Sequence, residues 1–214
     1  MIKAIIFDLD DTLIQTSKAK YKALQHVAKT FYNLDLTNED IRSHWGKPFA
    51  LFMRDLFREV EDTQKIIEKY YCVRNNFPTK AYEESKDSLL ALRKKYQLGM
   101  VTASTRHMTI EDLRIAGLSE LMFDHIQTSE DSSHHKPDPK VFAPIKRKFL
   151  ENNILSNELL YVGDSLSDWE AAKGAKIRFV GVANRTTASE KFAEVGVESV
   201  LKLDELELIL EKLV

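Results

Sequence analysis

Hydrophobic residues in this chain gather into short runs separated by longer amphipathic stretches. The runs at 3–7 (KAIIF), 98–103 (LGMVTA), 124–129 (DHIQTS), 159–163 (LLYVG), 177–183 (IRFVGVA) and 199–203 (SVLKL) predict strands. Several are apolar on both parities, as expected of strands covered on both faces. Helical patterns lie between them. In 85–96 (SKDSLLALRKKY) three leucines precede a basic last turn, and Gly99 follows. Asp138 and Pro139 form an N-cap and first-turn proline for the next helix. The stretch 167–174 (SDWEAAKG) ends in Gly174, read as a C-terminal cap. Strands alternating with helices indicate an α/β fold with a largely parallel sheet.

Residues 15–81 break that alternation. Tyr21, Leu24, Val27, Ala28 and Phe31 follow helical spacing, and Phe49, Phe52, Met53, Leu56, Phe57 and Val60 form a second apolar stripe. A third helical pattern covers roughly 63–77 and stops near Pro78. The segment therefore reads as a helical insertion above the sheet, with its aromatic stripe serving ordinary core packing. The expected organisation is a Rossmann-like parallel sheet flanked by helices, built from 1–14 and 82–214, with an inserted α-helical cap at 15–81. The C-terminal 203–213 (LDELELILEKL) reads as an amphipathic helix on the core.

Composition narrows the possible functions. The chain has 214 residues and a formal net charge of -2, so no basic face is implied and nucleic acid is excluded as an expected partner. A single cysteine, Cys72, rules out an internal disulfide framework and a multi-cysteine zinc site, and is expected to be a buried or half-buried thiol. No window approaches 18 uninterrupted apolar residues. No membrane partner is expected, and a cytoplasmic location is.

The chemistry lies at the strand ends. The first apolar run stops in three aspartates, Asp8, Asp10 and Asp11, although two carboxylates about 4 Å apart repel by roughly 4 kcal/mol at an effective dielectric of 20. The fourth run ends the same way, in Asp164 and Asp168. Open parallel sheets gather ligands at this edge. Two strands delivering carboxylates there can form a hard oxygen cage, and magnesium needs one or two carboxylates, waters and substrate phosphate oxygens. Turn and N-cap chemistry is the alternative use of either aspartate cluster. Lys136, extended before Pro137, can reach over the edge, and Thr102 ends the second strand where its hydroxyl and the next amide, of Ala103, can hold a phosphate oxygen. His134 and His135, beside Lys136, read as solvated.

Taken in order, Asp8-Leu9-Asp10-Asp11-Thr12, Thr102, Lys136 and Gly163-Asp164 with Asp168 resemble the four motifs of the haloacid dehalogenase superfamily. The resemblance spans essentially the whole chain and is nearest to the phosphoglycolate phosphatase-like and β-phosphoglucomutase-like group, with a helical cap after the first motif. It implies that Asp8 is the nucleophile, attacking phosphorus to form an aspartyl-phosphate, and that Asp10 is the acid and base. It further implies that Asp8, Asp164 and the Asp10 backbone carbonyl hold Mg2+. By the same resemblance Asp168 acts from behind, Thr102, Ala103 and Lys136 bind the phosphoryl group, and Thr12 braces the loop beside them.

Asp10 argues for phosphoryl transfer, because displacing halide needs no proton donor. The stretch HWGKPF resembles the cap specificity loop of phosphoglycolate-phosphatase-like members, with a helix-ending Gly-Lys-Pro turn as the equal alternative, and Lys47 is expected to touch the leaving group. Many relatives place Gly before the motif-one threonine, where this chain has Asp11. They often have Asp where Gln15 stands, and polar or basic residues at Ala103 and Ser104. These departures argue against phosphoglycolate itself. The expected function is a magnesium-dependent phosphatase acting on a small phosphorylated metabolite, as a monomer or weak dimer. A phosphosugar mutase and a non-catalytic binding protein on the same scaffold are the alternatives.

Overall fold

A computed structural model describes residues 1–45, 47 and 49–212. The chain divides into two units, Met1–Gln15 with Lys80–Val214, and Thr16–Thr79.

The first unit is a six-stranded, fully parallel sheet: β1 (Ala4–Phe7), β2 (Gln97–Val101), β3 (His125–Gln127), β4 (Leu159–Gly163), β5 (Arg178–Val182) and β6 (Ser199–Val200), in the order β3-β2-β1-β4-β5-β6. Alternate side chains go to opposite faces. Ile5 and Phe7 of β1 join Leu98, Met100, Leu160 and Val162 in one core layer. Ala4 and Ile6 join Val101, Leu159 and Tyr161 in the other. That two-sided burial is why the strand runs are apolar on both parities.

The first layer is covered by α5 (Ser85–Leu92), α6 (Arg106–Ile115) and α10 (Leu206–Lys212), through Leu89, Leu92, Leu113, Leu206, Ile209 and Leu210. The second is covered by α7 (Ala143–Glu151) and α8 (Leu166–Gly174), through Ile145, Phe149, Ala171 and Ala172. A short α9 (Ser189–Glu194) precedes β6.

The second unit is helical among its described residues: α1 (Thr16–Tyr32), α2 (Asn38–Ser43), α3 (Phe49–Leu56) and α4 (Thr63–Arg74). Its own core gathers Leu24, Val27, Ala28, Phe52, Met53, Leu56, Phe57, Ile66 and Tyr70. Trp45 packs edge-on against Tyr21 and Phe52 in that cluster.

Several sequence readings need correction. The stripe 49–60 is not one helix. α3 stops at Leu56, Arg58 and Glu59 adopt left-handed backbone at φ 53° and 54°, and Val60 is exposed. Phe31 is also exposed, although Leu24, Val27 and Ala28 beside it on α1 are buried. Cys72 is exposed, because the buried face of α4 runs through Ile66, Ile67, Tyr70 and Val73. Gly174 is the last helical residue rather than the cap, and Lys176 takes the left-handed turn at φ 59°. Gly174 instead permits close packing, since a Cβ there would stand 2.9 Å from Pro139. The helix expected from Asp138 opens as a 3-10 turn, Pro139–Phe142, before α7 begins. The last strand keeps only two residues, and a 3-10 turn at Leu203–Glu205 leads into α10.

Candidate active site

Strand order reverses between β1 and β4, the position where open α/β sheets form a crevice at the carboxyl ends of their strands. Phe7 is paired with Val162, and the Asp8 amide donates to the Val162 carbonyl at 2.9 Å. That register sets Asp8, one residue past β1, beside Asp164, one residue past β4. Thr102, one residue past β2, donates its amide to the Gln127 carbonyl at 3.1 Å. All three are buried.

The loop after β1 turns back tightly. The amides of Leu13 and Ile14 donate to the Leu9 carbonyl at 3.0 and 3.2 Å, and the Asp11 amide donates to Ile14 at 2.7 Å. Asp11 accordingly sits in the left-handed region at φ 56°. Glycine occupies that region without strain, and aspartate is among the few other residues that tolerate it. The Asp11-for-glycine departure is thus a conformational match. Thr12 is fully buried within the turn, its hydroxyl 3.4 Å from both Asp8 Oδ2 and Asp164 Oδ1. Asp10 is half-buried, and the Ser104 hydroxyl lies 3.4 Å from its Oδ2. The Ser104 amide donates to Thr102 Oγ1 at 3.1 Å, which curls the loop after β2 around that hydroxyl.

Lys136 reaches the same place from the loop before α7. Its ammonium lies 2.5 Å from Asp8 Oδ1, 2.7 Å from Asp168 Oδ1 and 3.1 Å from the Tyr161 hydroxyl. Burial pulls the lysine pKa down, but Asp168 and Asp8 more than reverse this and hold it well above its usual value. The Tyr161 phenol donates to Asp168 Oδ1 at 2.9 Å. The other Asp168 oxygen accepts from the Ser165 amide at 3.1 Å and hydroxyl at 2.5 Å, closing a capping box at the start of α8. Gly163 makes room for this: a Cβ there would stand 2.7 Å from the Asp168 carboxyl carbon.

The donor set fits a divalent cation. Oxygens of Asp8, Asp164 and Asp168 lie within 4.8 Å of one another, all buried. Three buried aspartates gather around the Lys136 ammonium, and a divalent cation would offset the cost of ionising Asp8 and Asp164 together. Both Asp168 oxygens are tied at close range by Lys136, Tyr161 and Ser165, whereas the Thr12 hydroxyl stands 3.4 Å from Asp8 Oδ2 and Asp164 Oδ1, so those two carboxylates are the better placed to turn to a metal.

Burial governs their protonation. Burial raises the Asp164 carboxyl to about 7, with Asp168 adding to the effect. Burial also raises Asp8 well above the ordinary carboxylate range, against the pull of Lys136. Folded Asp164 thus keeps a proton that the unfolded chain releases near 3.8, so metal-free stability is expected to fall as pH rises through about 7. A divalent ion competes with the protons on Asp164 and Asp8, so its affinity should rise at least about tenfold per pH unit below 7. Thermal melts with EDTA or added Mg2+ between about pH 5.5 and about pH 8 check this. An ion-induced shift of equal size across the range would remove Asp164 from the ligand set.

The remaining expected residues make local contacts. The Lys47 ammonium lies 2.8 Å from Asp55 Oδ2 inside the helical unit, and its neighbours Gly46 and Pro48 lie outside the described residues. Trp169 lies under the Lys173 ammonium on α8. His134 Nδ1 is 2.9 Å from Asp138 Oδ2, a local contact at the start of the 3-10 turn. The sequence reading missed Tyr161 and Ser165. Ser165 was legible, since Ser-x-x-Asp before a helical stretch is a capping-box pattern. Tyr161 looked like any aromatic in a buried strand.

The model of the haloacid dehalogenase-like hydrolase family matches residues 5–182. The chain belongs to that family and is an enzyme. The pyrophosphatase PpaX of Anoxybacillus flavithermus is 31% identical over 207 residues, spanning 94% of this chain and 93% of the relative. PpaX of Oceanobacillus iheyensis is 30% identical over 189 residues, spanning 85% and 84%. Two solved structures share the fold. A candidate β-phosphoglucomutase from Thermotoga maritima aligns over 100% of both chains with a TM-score of 0.82 at 23% identity. A predicted phosphoglycolate phosphatase from Haemophilus somnus covers 97% of both with a TM-score of 0.79 at 20% identity. Among the described residues no helix is long and apolar enough to cross a membrane.

Proposed function

We propose that this enzyme is a Mg2+-dependent phosphatase that hydrolyses a small phosphorylated metabolite through an aspartyl-phosphate on Asp8. The observation that supports this best is the contact of one ammonium, Lys136, with both Asp8 and Asp168 at the switch point of the sheet. A carboxylate is a weak nucleophile toward a phosphate dianion unless the charge between them is neutralised. Lys136 supplies one positive charge, held in place by Asp168 and Tyr161. Mg2+ held by Asp8, Asp164 and the Asp10 carbonyl would supply the rest, stabilising negative charge on the transferred group.

Asp8 Oδ then bonds to phosphorus as the ester oxygen leaves, and Asp10 gives that oxygen its proton. Asp10 next takes a proton from water, which attacks phosphorus and returns Asp8 as a carboxylate while phosphate departs. The Ser104 hydroxyl beside Asp10 Oδ2 helps to orient it for both steps. The Thr102 hydroxyl and Ala103 amide would hold the phosphoryl oxygens. Lys47 and the rest of the helical unit would select the leaving group, and shielding from bulk water would favour the chemistry.

The names of the PpaX relatives put inorganic pyrophosphate first among the substrates to test, beside small phosphomonoesters. Phosphate release from pyrophosphate and a panel of such esters is expected with Mg2+ and to stop on chelation. Conversion of a phosphosugar to its isomer without phosphate release would make it a mutase. No turnover of any of them would overturn the phosphatase reading.

A further inference from the structure

Arg185 is a buried cation that the proposed reaction does not use. It lies on the loop after β5, its side chain 5% exposed. Its Nη1 donates to the backbone carbonyl of Thr12, and its Nη2 lies 2.5 Å from Glu84 Oε1. The guanidinium carbon stands 3.5 Å from the centre of the Tyr82 ring.

Tyr82 and Glu84 belong to the segment where the chain returns to the sheet, and that segment also grips the loop after β1. The Tyr82 amide donates to the Leu13 carbonyl at 3.2 Å, and the Ser85 hydroxyl donates to the same oxygen at 2.8 Å. Thr12 is thus held from two sides. Arg185 takes its carbonyl, and its hydroxyl lies between Asp8 and Asp164. Thr186, the next residue, hydrogen-bonds Asp164 itself.

A buried guanidinium carries a desolvation cost that an apolar side chain of similar volume would avoid, so packing alone does not call for it. Arginine's particular property is a rigid planar fork that fixes two acceptors at once while stacking on an aromatic ring. Here the acceptors lie on two separate segments, and the ring belongs to one of them.

We infer that Arg185 is a positioning residue for the nucleophile: by clamping the Thr12 carbonyl against the Tyr82–Glu84 segment, it sets the orientation of Asp8 relative to Asp164. The inference rests on the proposed role of Asp8 as nucleophile. It predicts an effect on the chemical step and not on substrate binding, because Arg185 reaches the reacting atoms only through the loop.

The test uses full-length Arg185→Met and Arg185→Lys with two readouts. The first is steady-state kinetics on whichever substrate the parent hydrolyses. Arg185→Met should lower kcat about tenfold or more with KM within about twofold, and Arg185→Lys should recover part of it. The second needs no turnover: amide hydrogen exchange over residues 9–15 should quicken about fivefold or more in Arg185→Met, with the strand amides unchanged. If Arg185→Met does not fold, Arg185→Lys carries both measurements, with kcat expected to fall about threefold.

Unchanged exchange over 9–15 would overturn the inference, as would an unchanged kcat or a loss confined to KM. A parent without any phosphatase activity would defeat the proposed function, and the exchange measurement would then decide the positioning role by itself.

Discussion

Asp8→Asn is expected to abolish turnover while leaving the protein at least as stable as the parent at neutral pH without metal. The two halves of this result have one cause. Burial, with Asp168, Asp164 and Asp10 nearby, already disfavours charge on Asp8 despite the Lys136 ammonium at 2.5 Å. A neutral amide of the same size relieves that repulsion, and Lys136 keeps Asp168 and Tyr161 as partners. The amide cannot attack phosphorus, so kcat should fall about 10³-fold or more. Phosphate release and thermal melts on the same preparation separate chemistry from folding. Activity within about tenfold of the parent would remove Asp8 from the nucleophile role.

Lys136→Met should damage both activity and stability, with a pH signature that identifies the cause. Removing one partner of a buried ion pair leaves an uncompensated charge, which costs about 3–5 kcal/mol. In the parent, the lysine pKa is raised by folding, so its contribution is complete below the ordinary lysine range and is lost only as pH rises through the higher folded value. In the variant the controlling group becomes Asp8. Its carboxyl, already raised by burial, loses the ammonium that pulled it down. A raised carboxyl favours folding below the unfolded value, near 3.8, and that benefit is lost as pH rises through the folded one. Lys136→Met should therefore be markedly weaker than the parent at about pH 8 and recover much of the gap at about pH 5. Denaturant titrations at the two values read this directly, and an equal deficit at both would point to lost packing. Activity should fall about 10²-fold or more, because the proposed reaction loses the cation held against Asp8.

The strand ends were readable because their signals are local. An apolar run that stops in Asp8, and another that stops in Asp164, announce the carboxyl edge of a two-sided parallel sheet before any coordinate is known. Asp138 before Pro139 marks the start of the turn that leads into α7. Residues 49–60 misled because periodicity records which side chains face a core, not whether the backbone between them stays helical. Phe57 is buried although the chain has left α3 by then, and two left-handed residues follow it. Asp11 shows the opposite case. It departs from the family pattern in composition while adopting the backbone shape that glycine would supply.

By itself the sequence determined which groups arrive at the edge of the sheet: Asp8, Thr102, Lys136 and Asp164, each on a strand end or the loop beyond it, and Asp168, in the first turn of α8. Only the tertiary structure decided how they are wired. The pairing of Phe7 with Val162 brings Asp8 beside Asp164, the space at Gly163 admits Asp168, and Lys136 then lies between Asp8 and Asp168 with Tyr161 behind it. Arg185 reaches Thr12 across 173 positions of sequence, and a loop arginine carries no pattern that names so distant a partner. Local spacing records burial and backbone turns. Contacts between groups far apart in the chain arise only when the register of the sheet sets its loops side by side.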